Sequence, residues 1–214
     1  MASDPLPAPA VPVDQASAVA ALIAAARRLD RRGLAAATSG NHSARLADGS
    51  IAITRSGTHT GRLTPLDFMR IDDGGAPIDP GRPSAETALH LMLYRRFPAT
   101  GAILHWHSPG AVGWSRAARD DRWVFAGHEM LKAFPGVTTH DTRRTLPLVD
   151  NSQDMADIES ALAPVLGAAD ALPAFMIRAH GIYAWGKDVD EAERVAEAIE
   201  WLIAAELAER SFRA

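Results

Sequence analysis

The chain has 214 residues, no cysteine, and 22 Lys+Arg against 26 Asp+Glu, for a formal net charge of -4. That length suits one domain that buries about 70% of its unfolded surface without covalent staples. Without thiols, disulfides and thiolate metal sites are excluded, the scattered charge excludes a basic stripe for nucleic acid, and no run of 18 apolar residues offers a membrane span. The composition therefore predicts a cytoplasmic enzyme that acts on a small molecule and binds neither nucleic acid nor membrane.

Residues 1–13 are rich in Pro and Ala and lack a basic segment, which predicts a flexible lead-in rather than a signal peptide, followed by a single domain over 14–214. Asp14 caps a helix to about Arg32 that carries Val19, Leu22, Ile23 and Leu29 on one face, and Gly33 ends it. Thr38-Ser39-Gly40-Asn41 is a polar turn before two short strands, His42 to Leu46 and Ile51 to Thr54, joined by a hairpin at Ala47-Asp48-Gly49-Ser50. Thr64-Pro65 opens a helical turn, and Phe68 to Ile71 is a strand. Pro83-Ser84-Ala85-Glu86 opens a helix to about Phe97 with Ser84 as its cap. A buried strand from Gly101 leads into His105-Trp106-His107, and Ser108-Pro109 starts another helix. Further on come a strand at Trp123 to Phe125 and a short helix at His128 to Phe134. A helix from about Gln153 to Leu166 is capped at Asn151-Ser152, and a strand at Ala174 to Arg178 leads into His180. Ile182 to Trp185 continues as strand, and a final helix runs from an Asp188/Glu191 capping box to about Arg210. Of the arginine pairs at 27–28, 31–32, 95–96 and 143–144, most read as solvated helix faces or charges at helix C-termini. Strands from distant parts of the chain alternate with helices, which predicts an α/β domain with helices on both faces of a sheet.

His105 and His107 stand at i and i+2, so both imidazoles leave a strand on the same face. His180, after a second apolar run, is a third candidate ligand, and three imidazoles leave tetrahedral zinc one open position. Spacing alone fits ordinary strand-end histidines as well. Glu86 at a helix start would by itself only complement the helix dipole, worth up to about 1 kcal/mol. Ser39-Gly40-Asn41, Ser56-Gly57 and Ser84 offer the hydroxyls and close backbone N–H groups that bind phosphate, although such sequences are also plain turns. No Walker loop or dinucleotide fingerprint is present.

Taken together, Thr38-Ser39-Gly40-Asn41, Thr54-Arg55-Ser56-Gly57, Pro83-Ser84-Ala85-Glu86, His105-Trp106-His107 and His180-Gly181 resemble the class II aldolase/adducin family, in order and spacing, from about Asp14 to the C-terminus. Thr87, Leu89-His90, Thr139-His140-Asp141, Asn151-Ser152-Gln153-Asp154 and the run from His180 to Gly186 resemble the branch that dehydrates 5-methylthioribulose 1-phosphate in methionine salvage. The resemblance implies a single-domain three-layer α/β/α fold around a mainly antiparallel sheet. It implies one zinc ion per subunit on His105, His107 and His180, Glu86 as the catalytic carboxylate, and a homotetramer. It places Ser39, Gly40, Asn41, Ser56, Gly57 and Ser84 around the phosphate of a sugar-phosphate substrate. If Glu86 donates a proton near neutral pH, its cleft must raise its pKa. The rival activity is aldol cleavage or epimerisation of a fuculose-, rhamnulose- or pentulose-type phosphate. A non-catalytic adducin-like scaffold would instead lack the ligands. Two departures stand out. Thr60 occupies a position where related proteins often carry lysine, which leaves His59 and Arg62 as candidate cations, and Ala85 replaces a serine common in the aldolases, which favours dehydration.

Overall fold

Side-chain alternation on the strands decides the layering. On β4 (Ala102–Trp106), Ala102, Leu104 and Trp106 enter one core while Ile103 enters the other. A computed structural model describes residues 13–213, so all but the last residue of the predicted lead-in lies outside the described residues. The eight strands form one sheet in the order β3-β2-β1-β4-β8-β7-β6-β5. The others are β1 (Asn41–Arg45), β2 (Ile51–Thr54), β3 (Phe68–Ile71), β5 (Arg122–Ala126), β6 (Arg143–Val149), β7 (Ala174–Ile177) and β8 (Gly181–Gly186). Every neighbouring pair is antiparallel except β6 with β7.

Helices α1 (Gln15–Arg31), α3 (Pro109–Ala117) and α5 (Val189–Arg213) cover one face, where Leu22, Ala111 and Ile199 join Leu104 and Ile182. Helices α2 (Thr87–Arg96) and α4 (Met155–Leu162) cover the other, where Leu89, Leu93 and Ile158 meet Ile103 and Phe175. The result is the three-layer α/β/α arrangement around a mainly antiparallel sheet. Asp14 caps α1 by accepting from the Ser17 N–H at 3.0 Å, and a forked ion pair from Arg28 to Glu193 ties α1 to α5.

Three boundaries differ from the sequence reading. Strand β6 is missing from it because Pro147 lacks a ladder donor and argues against a strand. The proline is tolerated opposite Arg122, at the end of the β5 pairing. Arg143 and Arg144 therefore lie on a strand rather than on a helix, unlike the other three pairs. Helix α4 starts at Met155, with Asp154 as the cap accepting from Ala156 at 2.9 Å, while Ser152 accepts from the Asp154 N–H one step earlier. Helix α2 starts at Thr87 rather than beside Ser84, a shift with consequences for Glu86.

His42 is fully buried on the β1 face that packs against α1, and neither ring nitrogen has a partner among the described residues. Burial, with a smaller contribution from nearby His90, pushes its pKa down to about 3. An unfolded histidine takes up its proton near 6.5, so the unfolded chain binds more protons and stability falls as pH drops from 6.5 toward 3. His42→Leu should therefore shrink the stability lost between pH 7 and pH 5 by about 2 kcal/mol. Denaturant titrations at the two pH values read the difference, and an undiminished acid loss in the variant would refute the assignment.

Candidate active site

One row of side chains crosses four strands on the face covered by α2. Asn41 of β1 is paired opposite His105 of β4, His105 opposite Tyr183 of β8, and Tyr183 opposite Phe175 of β7. The Phe175, Tyr183 and His105 rings stack with centroids 4.8 and 4.0 Å apart, and this fixes the imidazole plane. His107 follows the end of β4 and donates its backbone N–H to Leu34 at 3.0 Å. From the far side of the sheet the buried Glu200 carboxylate accepts from Trp106 Nε1 at 2.7 Å and Ser108 Oγ at 2.9 Å, which pins both neighbours of His107.

His180 sits in the tight turn between β7 and β8, where Ala179 adopts a left-handed φ of 58°. That strained turn is clamped to the end of α3. The Ala179 N–H donates to Ser115 Oγ at 3.0 Å, and the Arg178 guanidinium donates to the carbonyls of Ser115 and Ala118. Two glycines allow the elements to close on one another. A Cβ on Gly40, at φ 84°, would lie 2.6 Å from the His105 carbonyl oxygen. One on Gly181 would lie 2.4 Å from the Trp106 carbonyl oxygen and within 2.9 Å of both the His105 and His107 rings.

The three histidines converge, with one ring nitrogen of each lying within 4.8 Å of the others. His105 Nδ1 donates to the Ile182 carbonyl at 2.9 Å, which leaves Nε2 with its lone pair directed at His107 Nε2, 3.0 Å away. Burial, above all else, keeps His105 neutral and pushes His107 down to about 4, with His180 adding to the latter. The His105 Nε2 lone pair, 3.0 Å from His107 Nε2 and 3.3 Å from the Glu86 carboxylate, converges with the other two imidazoles on one point, and this nitrogen set fits a metal.

Because α2 begins at Thr87, Glu86 is free of the helix and its carboxylate turns toward the histidines. Oε1 is 3.0 Å from His180 Nε2 and Oε2 is 3.3 Å from His105 Nε2. Asn41 Nδ2 donates to Oε2 at 2.6 Å and Tyr183 Oη donates to it at 2.7 Å. The raised pKa expected of Glu86 is not found. Burial alone would raise it, but the hydrogen bond from His180, the proximity of the His105 and His180 rings and the Tyr183 hydroxyl outweigh burial and hold the carboxyl well below the usual range. Glu86 rests as an anion. The side chain of Ser84, the expected helix cap, accepts a 3.4 Å bond from the Glu86 N–H, while its carbonyl accepts from Thr87 Oγ1 at 2.6 Å.

A cavity of about 190 Å³ opens above this cluster. Its walls are the Ser39-Gly40-Asn41 and Ser56-Gly57 turns, Ser84, Glu86, His107 and His180, with Thr38, Arg55, Thr58 and Ala85. His105 lies buried beneath it. All the residues expected to face a phosphate therefore meet in one place, although the Asn41 side-chain amide is committed to Glu86 and His90. His59 and Arg62 are not in its wall, and Arg55 is the arginine that is. Thr60 is buried and donates to the Ser39 carbonyl at 2.6 Å, so it props the turn instead of supplying charge. Leu131 and Phe134 lie in the core on the α5 side and not in the cavity wall. The sequence offers Tyr183 as a residue that could face the cleft and Arg55 only as part of the Thr54-Arg55-Ser56-Gly57 motif; the register of Tyr183 opposite His105 and its bond to Glu86 come from the fold.

Residues 20–207 match the family model of the Class II Aldolase and Adducin N-terminal domain. The chain belongs to the class II aldolase/adducin family. It is 46% identical over 199 residues to a methylthioribulose-1-phosphate dehydratase of Acidiphilium cryptum, covering 92% of this chain and 93% of the relative. It is 48% identical over 188 residues to that of Gluconobacter oxydans, covering 87% and 89%. Among solved structures, the L-fuculose-1-phosphate aldolase of Thermus thermophilus superposes with a TM-score of 0.75 at 26% identity, covering 92% of this chain and 96% of that one. The class II aldolase family is typically metal-dependent, and the histidine triad at the ends of the central strands β4 and β8 is a donor set that could hold a metal.

Gly181→Ala should cost about 1–3 kcal/mol, because the added methyl meets backbone and two ligand-bearing rings that cannot yield. Gly113→Ala on α3, where a Cβ meets nothing within 4 Å, should instead stabilise by about 0.5–1 kcal/mol. Paired thermal melts test the contrast, and equal shifts in the two variants would refute the close-approach argument.

Proposed function

We propose that this chain dehydrates 5-methylthioribulose 1-phosphate to 2,3-diketo-5-methylthiopentyl 1-phosphate. The reading rests above all on one juxtaposition, an anionic Glu86 beside three convergent imidazoles at the floor of a cavity walled by Ser/Gly turns. The 45–48% identity to proteins that carry the dehydratase name supports this substrate over other sugar phosphates. His105, His107 and His180 would hold one zinc ion per subunit, since a nitrogen-only set with no thiolate suits that metal. When bound, zinc supplies Lewis-acid polarisation of the ketose oxygens.

The residues of the chain do the rest. The hydroxyls and backbone N–H groups of Ser39, Gly40, Ser56, Gly57 and Ser84 would bind the phosphate, with Arg55 nearby for charge. Glu86 takes the proton from C3, and the electron pair of the C3–H bond passes into an enediolate. Expulsion of the C4 hydroxyl, which leaves as water with a proton returned by Glu86, gives an enol that tautomerises to the diketone. The balance is substrate to product plus one water. Asn41 and Tyr183 already hold Oε2 with two donors, so the travelling proton would ride on Oε1, the oxygen that faces His180 Nε2 at 3.0 Å. Placement in the methionine-salvage route, in the cytoplasm and as a homotetramer belongs to the same proposal.

Zinc-loaded protein given this substrate should release a product lighter by one water, and none after chelation. Two smaller fragments in the mass spectrum would make it an aldolase instead. Glu86→Gln should lose about 10²–10⁴-fold in turnover while retaining zinc, and wild-type-like turnover would remove Glu86 from the mechanism. His105→Ala or His107→Ala should lose the metal along with activity. Full zinc retention by equilibrium dialysis would overturn the ligand assignment.

A further inference from the structure

Helix α2 and strand β1 face each other through polar groups where an apolar contact would be expected. Glu86, His90 and Tyr94 recur every four residues, one stripe down the buried side of α2. Asn41 and Ser43, two apart, form the matching stripe on β1. The two stripes interlock in the order Glu86, Asn41, His90, Ser43, Tyr94. Ser43 and His90 are fully buried, and Asn41 and Tyr94 nearly so. Buried polar groups cost free energy unless each one is bonded, and here every link is made.

The direction of every link follows from the chemistry of its partners. The Glu86 carboxylate only accepts, so Asn41 presents Nδ2 to it at 2.6 Å. Asn41 Oδ1 then faces His90 Nε2, and because an amide oxygen only accepts, Nε2 carries the proton. Burial holds His90 neutral, with a pKa of about 4, so Nδ1 is a lone pair. It accepts from Ser43 Oγ at 2.7 Å. With its one proton spent, Ser43 Oγ must accept from Tyr94 Oη, 2.9 Å away, and burial keeps that phenol protonated. The donors run one way: Tyr94 to Ser43 to His90 to Asn41 to Glu86.

We propose that His90 is a positioning residue for Glu86, acting through Asn41, whose amide it locks in the one orientation that donates to the carboxylate. An Asn amide is nearly symmetric in shape. Without the His90 N–H it is free to turn over and set Oδ1 against Oε2, which replaces a charge-assisted bond by repulsion between two acceptors. Glu86 would then lose one of the two donors that hold Oε2 in place. The catalytic consequence rests on the reading of Glu86 as the group that carries the proton; the bond direction does not.

Two measurements test this. In ¹⁵N-labelled wild-type protein at pH 7, the His90 ring should show the neutral tautomer protonated at Nε2. A ring protonated at Nδ1, or at both nitrogens, overturns the proposal whatever substrate the protein uses. The second is kinetic. A glutamine amide nitrogen reaches the place of Nε2, whereas an asparagine reaches only that of Nδ1. His90→Gln should therefore keep kcat within about threefold, while His90→Asn should lose about 10–100-fold in kcat, with KM and zinc content near wild type. Wild-type kcat in His90→Asn, an equal loss in both variants, or a loss confined to KM would each overturn it. If the wild-type protein converts no ketose phosphate, the dehydratase reading fails by itself while the tautomer result still decides the bond direction.

Discussion

The site depends on one half-buried anion being satisfied. Largely withdrawn from water at the cavity floor, the Glu86 carboxylate must find donors or give up its charge, and the fold supplies them from elements distant in sequence. Asn41 comes from β1, Tyr183 from β8, and His180, whose Nε2 faces Oε1, from the β7–β8 turn. Displacing any of these elements by one residue would turn its side chain to the other face of the sheet and leave the carboxylate exposed to repulsion or unpaired. Register across β1, β4 and β8 is thus the constraint to which the rest of the domain answers.

The layers enforce that register. On the face away from the site, Leu104, Trp106, Ile182 and Ala184 are packed under α1, α3 and α5, and a slip would expose all of them. Glu200 adds a polar lock through that layer by holding the Trp106 indole and the Ser108 hydroxyl on either side of His107. The Arg178 clamp does the same for the turn that carries His180. Candidate ligands that come from two separate segments are each held from behind by a bond unrelated to the metal. This is how a site stays preorganised when its donors repel one another.

The polar seam between α2 and β1 explains why the second layer on this face is not simply apolar. An apolar pair at positions 43 and 90 would pack as well, but it would leave the Asn41 amide unconstrained beside an anion. A fully bonded seam adds orientation where hydrophobic contact, being non-directional, adds none.

Much of this was legible in the residues. Strict alternation and turn chemistry placed β2 and β3, the caps at Asp14 and Ser108 placed α1 and α3, and His-x-His on an apolar strand marked a shared face, because these signals act over a few neighbouring residues. The motifs at 38–41, 54–57, 83–86, 105–107 and 180–181 carried the family and the membership of the cavity wall. What the residues did not disclose came from pairings across the chain. Strand β6 is held by partners on both sides in spite of Pro147, Tyr183 gains its role only by lying opposite His105, and Arg55 rather than His59 or Arg62 reaches the cavity. The ionisation of Glu86 was inverted for the same reason. Sequence shows a carboxyl in an apolar neighbourhood, and only the folded chain brings Asn41, Tyr183 and two imidazoles within hydrogen-bonding distance of it. Local chemistry was written in the sequence by itself; the balance between burial and donors was decided by tertiary structure, because both depend on which distant residues arrive.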